Sequence, residues 1–484
     1  QMNSLRDKYQ LVVGLEVHAQ LSTKSKAYCG DSTTYGSAPN SQTSPVTLGH
    51  PGTLPKSNKK VIEYAIKMGL ACQSNITERN EYARKNYFYP DLPKGYQITQ
   101  DTTPICTGGI ITIKNEDGVE RDINITRIHM EEDAGKSTHD IDPFNTLVDL
   151  NRAGVALIEV VSEPDLRTAD EAYQYLIEVR KLVRYLDICD GNLEEGSLRC
   201  DANISVMLKG STTYGDRVEV KNMNSLRNVK KAIEFERDRQ IELIENGKIV
   251  EQQTRSFNAA DGSTTLMRSK ENANDYRYFP EPDLQPVILS QEYIQSIRKN
   301  LPLLPKELTA KFKKDFGLSE YDTNILVEDK DMAHYFIELC EHTNSYKTAA
   351  NIVIGSVKSY LNEKAIEIAD FAVNPKKIGQ LIKLIEDGKV SNSVATQKIF
   401  PALIDSKLSP EEIAKSNNWI QESDSDSLST YIDQALAKFP EKVEEYKAGK
   451  KGLIGLFMGE VMKLSKGKAD PKLTNKMLQE ILNK

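Results

Sequence analysis

No run of eighteen apolar residues occurs in the 484-residue chain, so no helix is expected to cross a membrane. The opening residues, Gln1-Met2-Asn3-Ser4-Leu5-Arg6, lack the apolar core of a secretory signal, and the cytoplasm is the expected location. Cysteine is scarce, at six residues, and no two stand as Cys-x-x-Cys. Reduced thiols fit an enzyme of the cytosol. Positive charge is not in excess: 63 Lys and Arg face 70 Asp and Glu, a net charge of -7. Indiscriminate coating of nucleic acid is thereby disfavoured, although a localised basic face is not. Gly135-Lys136-Ser137 imitates the end of a Walker phosphate loop, but Met130 stands where the loop's first glycine is required. No Gly-Ser-rich amidase stretch, and no cysteine with a matching histidine context, marks a glutaminase nucleophile.

What is present centres on residues 127–165. Glu131, Glu132 and Asp133 are consecutive, and three adjacent carboxylates repel one another unless a cation or basic groups lie close. Downstream, Val155–Val161 reads as a buried strand with Glu159 inside an apolar run. An ionised Glu there must be paired, coordinated or protonated. Together with Lys136 this suggests divalent-metal and phosphate chemistry; an acidic loop plus a satisfied core Glu fits the same residues. Residues 11–21, LVVGLEVHAQL, alternate, which sets Glu16 and His18 side by side on one strand face. Such a pair can ligate one ion, act as base and orienter, or be an ordinary polar strand face.

The length suggests about three domains. A Ser/Thr/Gly/Pro-rich loop over 28–55 precedes a helix over 57–73 capped by Ser57 or Asn58. The segment RKNYFYPDLPKGYQ (84–97) interleaves basic residues with Tyr87, Tyr89 and Tyr96, a composition suited to stacking on bases. A Tyr-rich structural loop reads the same way. A hairpin over 110–130 turns at 115–118, and Thr168 with Glu171 forms a capping box opening a helix to about Leu186. Arg199, Asp201 and Asn203 alternate onto one face of a further strand. Pro280, Pro282 and Pro286 break regular structure, which places a boundary near 290. The expected fold class is α+β: a mixed domain over 1–290 built on an antiparallel sheet, a helical domain over 291–405, and a helical tail over 406–484. The tail is lysine-rich, from Lys447 to Lys484, with Gly449, Gly452, Gly455 and Gly459 near Leu453 and Phe457. Such a surface suits an RNA-phosphate grip, or is simply solvated.

Set out in order, these blocks resemble the GatB family, the B subunits of aspartyl/glutamyl-tRNA(Asn/Gln) amidotransferases. The matching stretches are VGLEVH (13–18), the 84–97 loop, HMEEDAGKSTH (129–139) and LVDLNRAGVALIEVVSEPD (147–165). EEGSLRCDANIS (194–205), VKNMNS (220–225), DYRYFPEPD (275–283) and the tail GLIGLFMGEVMKLSKGKADP (452–471) complete them, so the likeness runs nearly end to end. Two departures stand out. Many members carry a four-cysteine zinc knuckle, where this chain keeps Cys29 and has Asp31, Ser44 and Thr47 at the other places. One thiolate cannot build a tetrahedral structural site, so zinc is not expected. The family's proline before Leu-Ile-Glu is here Ala156.

The resemblance implies ATP- and Mg²⁺-dependent phosphorylation of the side-chain carboxylate of Glu-tRNA(Gln) or Asp-tRNA(Asn). Ammonia from a glutaminase A subunit, in a complex that includes a C subunit, then displaces phosphate to leave the amide. It implies a metal site of Glu16, His18, Glu132 and Glu159, with Glu131 as alternate. Lys136, Arg199, Asp201 and Asn203 would contact nucleotide or acyl phosphate; Tyr87, Tyr89 and Tyr96 would hold the tRNA 3′ end or the aminoacyl group. A non-catalytic tRNA-binding scaffold and a self-sufficient ligase using free ammonia are the other readings.

Overall fold

The computed structural model describes residues 2–269, 275–421 and 425–483. Gln1 and Lys484, the last of the tail lysines, lie outside them. The chain forms an α+β protein of two compact units, residues 1–304 and 305–484. Among the described residues, no helix is long and apolar enough to cross a membrane.

The first unit is built on a ten-stranded sheet. Its central strand, β1 (Tyr9–Gln20), buries Leu11, Val13, Leu15, Val17 and Ala19 on one face, as the alternation requires. The hairpin β2 (Ala83–Asn86) and β3 (Tyr96–Thr99) belongs to a small separate sheet. The large sheet continues with β4 (Glu120–Glu132), β5 (Ala156–Ser162), β6 (Leu198–Leu208) and β7 (Val218–Lys221). Strands β8 (Gln253–Asn258) and β9 (Ser263–Ser269) close one edge. The order across it is β9-β8-β7-β6-β1-β5-β4, followed by two-residue strands. Only β7 and β8 among these neighbours run parallel, joined through the helix Leu226–Glu245.

Helices cover one face of this sheet, so its strands read apolar on that side and polar on the other. Lys59–Ala71 begins at Asn58, whose side chain accepts from Lys60 N. Ala169–Tyr185 begins at Thr168, which accepts from Glu171 N. The expected capping box closes only halfway, because the Glu171 carboxylate is taken by Arg121 of β4. Tyr175, Leu176, Val179 and Val183 form the buried stripe of that helix. Ile294 and Ile297, in the helix Gln291–Lys299, join the same core.

The second unit is helical from Pro305 to Leu482. Its end has a core of its own, in which Leu428, Ile432, Phe457, Val461 and Leu478 are fully enclosed. Gly452, Gly455 and Gly459 meet no other part of the described chain: a side chain at any of them would point into open space.

Candidate active site

The uncovered face of the large sheet carries a row of charged groups, lined up by strand register. His18 of β1 lies opposite Glu159 of β5, and Glu159 lies opposite His129 of β4. On the other side Glu16 faces Asp201 and His18 faces Arg199 on β6, while Asn203 faces Glu219 of β7. Two groups of ligand-type side chains result: His18 with Glu131 and Glu159, and Glu16 with Asp201 and Glu219.

The first group is the more enclosed. Glu159 Oε2 lies 3.4 Å from His18 Nε2 and 3.1 Å from His129 Nε2, which also stands 3.3 Å from Glu131 Oε2. Gln97 Nε2 and Thr99 Oγ1, from β3, donate to the two Glu131 oxygens at 2.7 and 2.9 Å. Lys85 of β2 comes over the same place, its ammonium 4.6 Å from the Tyr276 ring centroid. Burial disfavours charge on both imidazoles, but the carboxylates around them outweigh it. The His18 pKa is raised, and that of His129 is pushed up to about 9 by Glu159 and Glu131. Burial likewise opposes charge on Glu159, yet His18 and His129 hold its carboxyl well below the usual range.

In the second group Asn203 Nδ2 donates to Glu16 Oε1 at 3.1 Å. The Lys221 ammonium sits 2.6 Å from Asp201 Oδ2 and 3.0 Å from Glu219 Oε1. Glu16 is left short of positive charge. Burial first, then the charges of Glu159, Glu219 and Asp201, push its carboxyl upward. A cation there would restore the ionised form. Three carboxylates suit a hard divalent ion such as Mg²⁺, which keeps several waters; the imidazole-containing group suits a divalent ion with borderline preferences.

The remaining residues singled out from the sequence are placed as follows. Glu132 points away from Glu131, because adjacent strand residues face opposite sides. It pairs with Lys94 and accepts from Ile98 N at 2.9 Å, so it joins neither cation group. Arg199, Asp201 and Lys136 line a cavity of about 820 Å³ that reaches His18. Asn203 reaches Glu16, as described. Tyr87 faces the first group and stands 3.5 Å from Gln97 Oε1 through its hydroxyl. Tyr96 turns to the opposite side of the hairpin, where Arg84 stacks on it at 4.0 Å. Tyr89 is exposed, its ring 6.3 Å from that of Tyr87.

Sequence reasoning passed over His129, Glu219, Lys221, Gln97 and Thr99. For His129 a signal existed: it stands two residues before Glu131, the same spacing that flagged Glu16 and His18. Glu219 and Lys221 share that alternation on β7, but nothing in the sequence shows β7 beside β6.

The four positions of the family's zinc knuckle do converge, around a carboxylate in place of a metal. Asp31 Oδ2 accepts from Thr47 Oγ1 at 2.5 Å, Ser44 N at 2.8 Å and Cys29 Sγ at 3.3 Å. Beside them Lys26 is fully buried, its ammonium donating to Gln42 O at 2.8 Å, Leu150 O at 3.3 Å and Thr47 Oγ1 at 3.4 Å. One thiol, one carboxylate and two hydroxyl residues next to a buried ammonium do not fit a structural zinc ion.

Comparison with known proteins agrees with this architecture. The family model of the GatB/GatE catalytic domain matches residues 11–295, and that of the GatB domain matches residues 334–482. The B subunit of an aspartyl/glutamyl-tRNA(Asn/Gln) amidotransferase from Geobacter sulfurreducens is 50% identical over 477 residues, covering 98% of this chain and 99% of that protein. Proteins of the same description from Geotalea uraniireducens and Clostridium botulinum are 50% and 46% identical, over 98% of this chain in each case. With a family match spanning the whole charged sheet face and relatives aligned nearly end to end, the chain belongs to the GatB/GatE family.

Proposed function

We propose that this chain is the B subunit of a tRNA-dependent amidotransferase. It would activate the side-chain carboxylate of Glu-tRNA(Gln) or Asp-tRNA(Asn) with ATP and convert it to the amide. One carboxylate oxygen attacks the γ-phosphorus of ATP, giving an acyl phosphate and ADP. Ammonia then attacks the acyl carbon, loses a proton, and expels phosphate. The observation that carries this reading is the pair of acidic groups side by side on one sheet face, opening on a cavity lined by Lys136, Arg152, Arg199 and Lys221.

Carboxylates are inert to ammonia until an oxygen becomes a leaving group, and phosphoryl transfer depends on charge neutralisation and alignment. Divalent ions bound by His18, Glu131 and Glu159, and by Glu16, Asp201 and Glu219, would supply that neutralisation. Gln97 and Thr99 hold Glu131 in place, and Asn203 holds Glu16. Lys85, flanked by the Tyr87 and Tyr276 rings, brings a positive charge toward Glu131 and Glu159 of the first group. Tyr89, exposed on the 84–97 loop, is available to stack on the tRNA 3′ end.

Ammonia would come from a glutaminase A subunit, with a C subunit completing a cytoplasmic heterotrimer. Catalysis is assigned to the first unit, residues 1–304, a helical connector to 305–405, and a shape-reading grip on the tRNA to the lysine-rich 406–484 segment. The open glycine face at 452–459 would let a phosphate backbone come close.

The test is amidation by the assembled complex. His18→Ala or Glu16→Ala should abolish ATP-dependent amide formation and leave glutamine hydrolysis by the partner intact. Amidation at the wild-type rate in both variants would reject the assignment in favour of a tRNA-binding scaffold.

A further inference from the structure

Two arginines on the wall of the large cavity are held by a single carboxylate that belongs to neither cation group. Asp133 immediately follows β4 and its side chain is 5% exposed. Arg199 Nη2 donates to Asp133 Oδ2 at 2.7 Å, and Gln20 Nε2 donates to the same oxygen at 2.7 Å. On the other side Arg152 Nε stands 3.7 Å from Asp133 Oδ1. Arg152 is pinned further, donating to Ala134 O at 2.9 Å and Gly135 O at 2.7 Å.

Both guanidinium groups stay about one-third exposed, and both line the cavity that reaches His18. Within this trio one carboxylate offsets one of the two positive charges, and the other faces the cavity. Arg199 Nε is buried and has no hydrogen-bond acceptor among the described residues. A buried donor without a partner is costly, and the exposed third of the guanidinium is the part open to an anion in the cavity. Of the acids elsewhere on the wall, Asp201 is paired with Lys221 at 2.6 Å. Asp149 accepts from the backbone of Asn40 and Asn151, Asp190 from that of Asn192, and Glu194 and Glu195 lie at the solvent edge.

We propose that Asp133 is a positioning residue that orients Arg152 and Arg199 as a two-pronged clamp for a phosphate group in this cavity. The proposal rests on the phosphoryl chemistry proposed above. The phosphate belongs either to the nucleotide or to the 3′ end of the tRNA, and the test separates the two. Removing the Asp133 charge leaves two guanidinium groups repelling each other, with Arg199 unaimed and Arg152 held by the two carbonyls alone. Removing Arg152 takes away one prong and leaves Asp133 paired with Arg199.

The experiment compares Asp133→Asn, Arg152→Ala and Arg152→Lys in the assembled complex, measuring KM for ATP, KM for misacylated tRNA, and kcat. The expected result is a KM for ATP raised about ten-fold or more in the first two variants, with kcat within about three-fold. Arg152→Lys should recover part of the loss, because charge returns without the fork. A rise in the KM for tRNA in place of that for ATP supports the clamp and assigns it to the tRNA. Unchanged KM values for both, or a fall in kcat alone, overturn it. Should Asp133→Asn fail to fold, Arg152→Ala carries the test, since Asp133 keeps its pairing with Arg199. Equilibrium binding of a non-hydrolysable ATP analogue with Mg²⁺ distinguishes the two levels of failure. No binding to the wild-type complex removes the proposed function itself. Binding equal in wild type and both variants, with the tRNA KM unchanged, removes the clamp alone.

Discussion

Replacing Glu159 by Gln in the chelated, metal-free protein should uncouple the two buried imidazoles from their shared counter-ion. His129 is 3% exposed, and its pKa stands at about 9 in the folded protein against an ordinary 6.5. The difference corresponds to roughly 3 kcal/mol of preference for the protonated form in the folded state. Because the folded value is the higher one, this stabilisation is complete below about pH 6.5. It drains away as pH rises toward about 9. In Glu159→Gln the largest attraction is gone and Glu131, 3.3 Å away, is left to oppose burial, so the His129 pKa should fall well below its wild-type value. Denaturant unfolding between pH 6 and 9.5, with the histidine Cε1 resonances followed by NMR, measures both quantities. The wild-type apo protein should lose stability across that range, and the variant should lose much less of it from this source. A wild-type His129 titrating near 6.5, or equal slopes in the two proteins, would refute the reasoning.

Other positions test the scaffold. Glu281 has a fully buried side chain that Arg84 engages at 2.7 and 3.0 Å, so Glu281→Leu should cost about 3 kcal/mol by breaking a buried pair and leaving Arg84 to Asp283 at 3.1 Å. Urea unfolding reads that loss, and a cost under about 1 kcal/mol would contradict it. Lys26→Met leaves the Gln42 and Leu150 carbonyls without their donor, for a loss of about 2 kcal/mol or more. In the same assay, zinc added to the wild type should leave its melting temperature unchanged; a zinc-dependent rise would show that the cluster around Asp31 takes a metal. Leu176→Ala, at a fully enclosed position under the sheet, should destabilise by about 2–5 kcal/mol, read as a lower urea midpoint at unchanged slope.

Much of the first unit was legible because its patterns are local. The alternation of 11–21 fixed a strand with Glu16 and His18 on one face, and the Thr168 cap fixed where the following helix starts. The 110–130 hairpin turned where its Asn-Glu-Asp-Gly sequence required. Partners across strands were less accessible, since register depends on neighbours remote in the chain. Glu131 and Glu132 show the difference. Alternation alone says that only one of them can face Glu159, but choosing between them requires knowing that Leu157 lies opposite Glu131. The same ignorance merged two cation groups into one: Glu16 and His18 share a face, yet Glu16 turns toward Asp201 and Glu219 while His18 turns toward Glu159. The tyrosines of the 84–97 loop divide for an equally plain reason, as Tyr87 and Tyr96 lie on opposite faces of their hairpin.

The most direct test of the central claim is anomalous diffraction from crystals soaked in Mn²⁺, a redox-quiet stand-in for Mg²⁺ at oxygen-rich sites. One peak is expected among His18, Glu131 and Glu159 and another among Glu16, Asp201 and Glu219, with the Lys221 ammonium displaced from between its two carboxylates. A map with manganese at neither place, and the two acidic groups unchanged, would contradict the account.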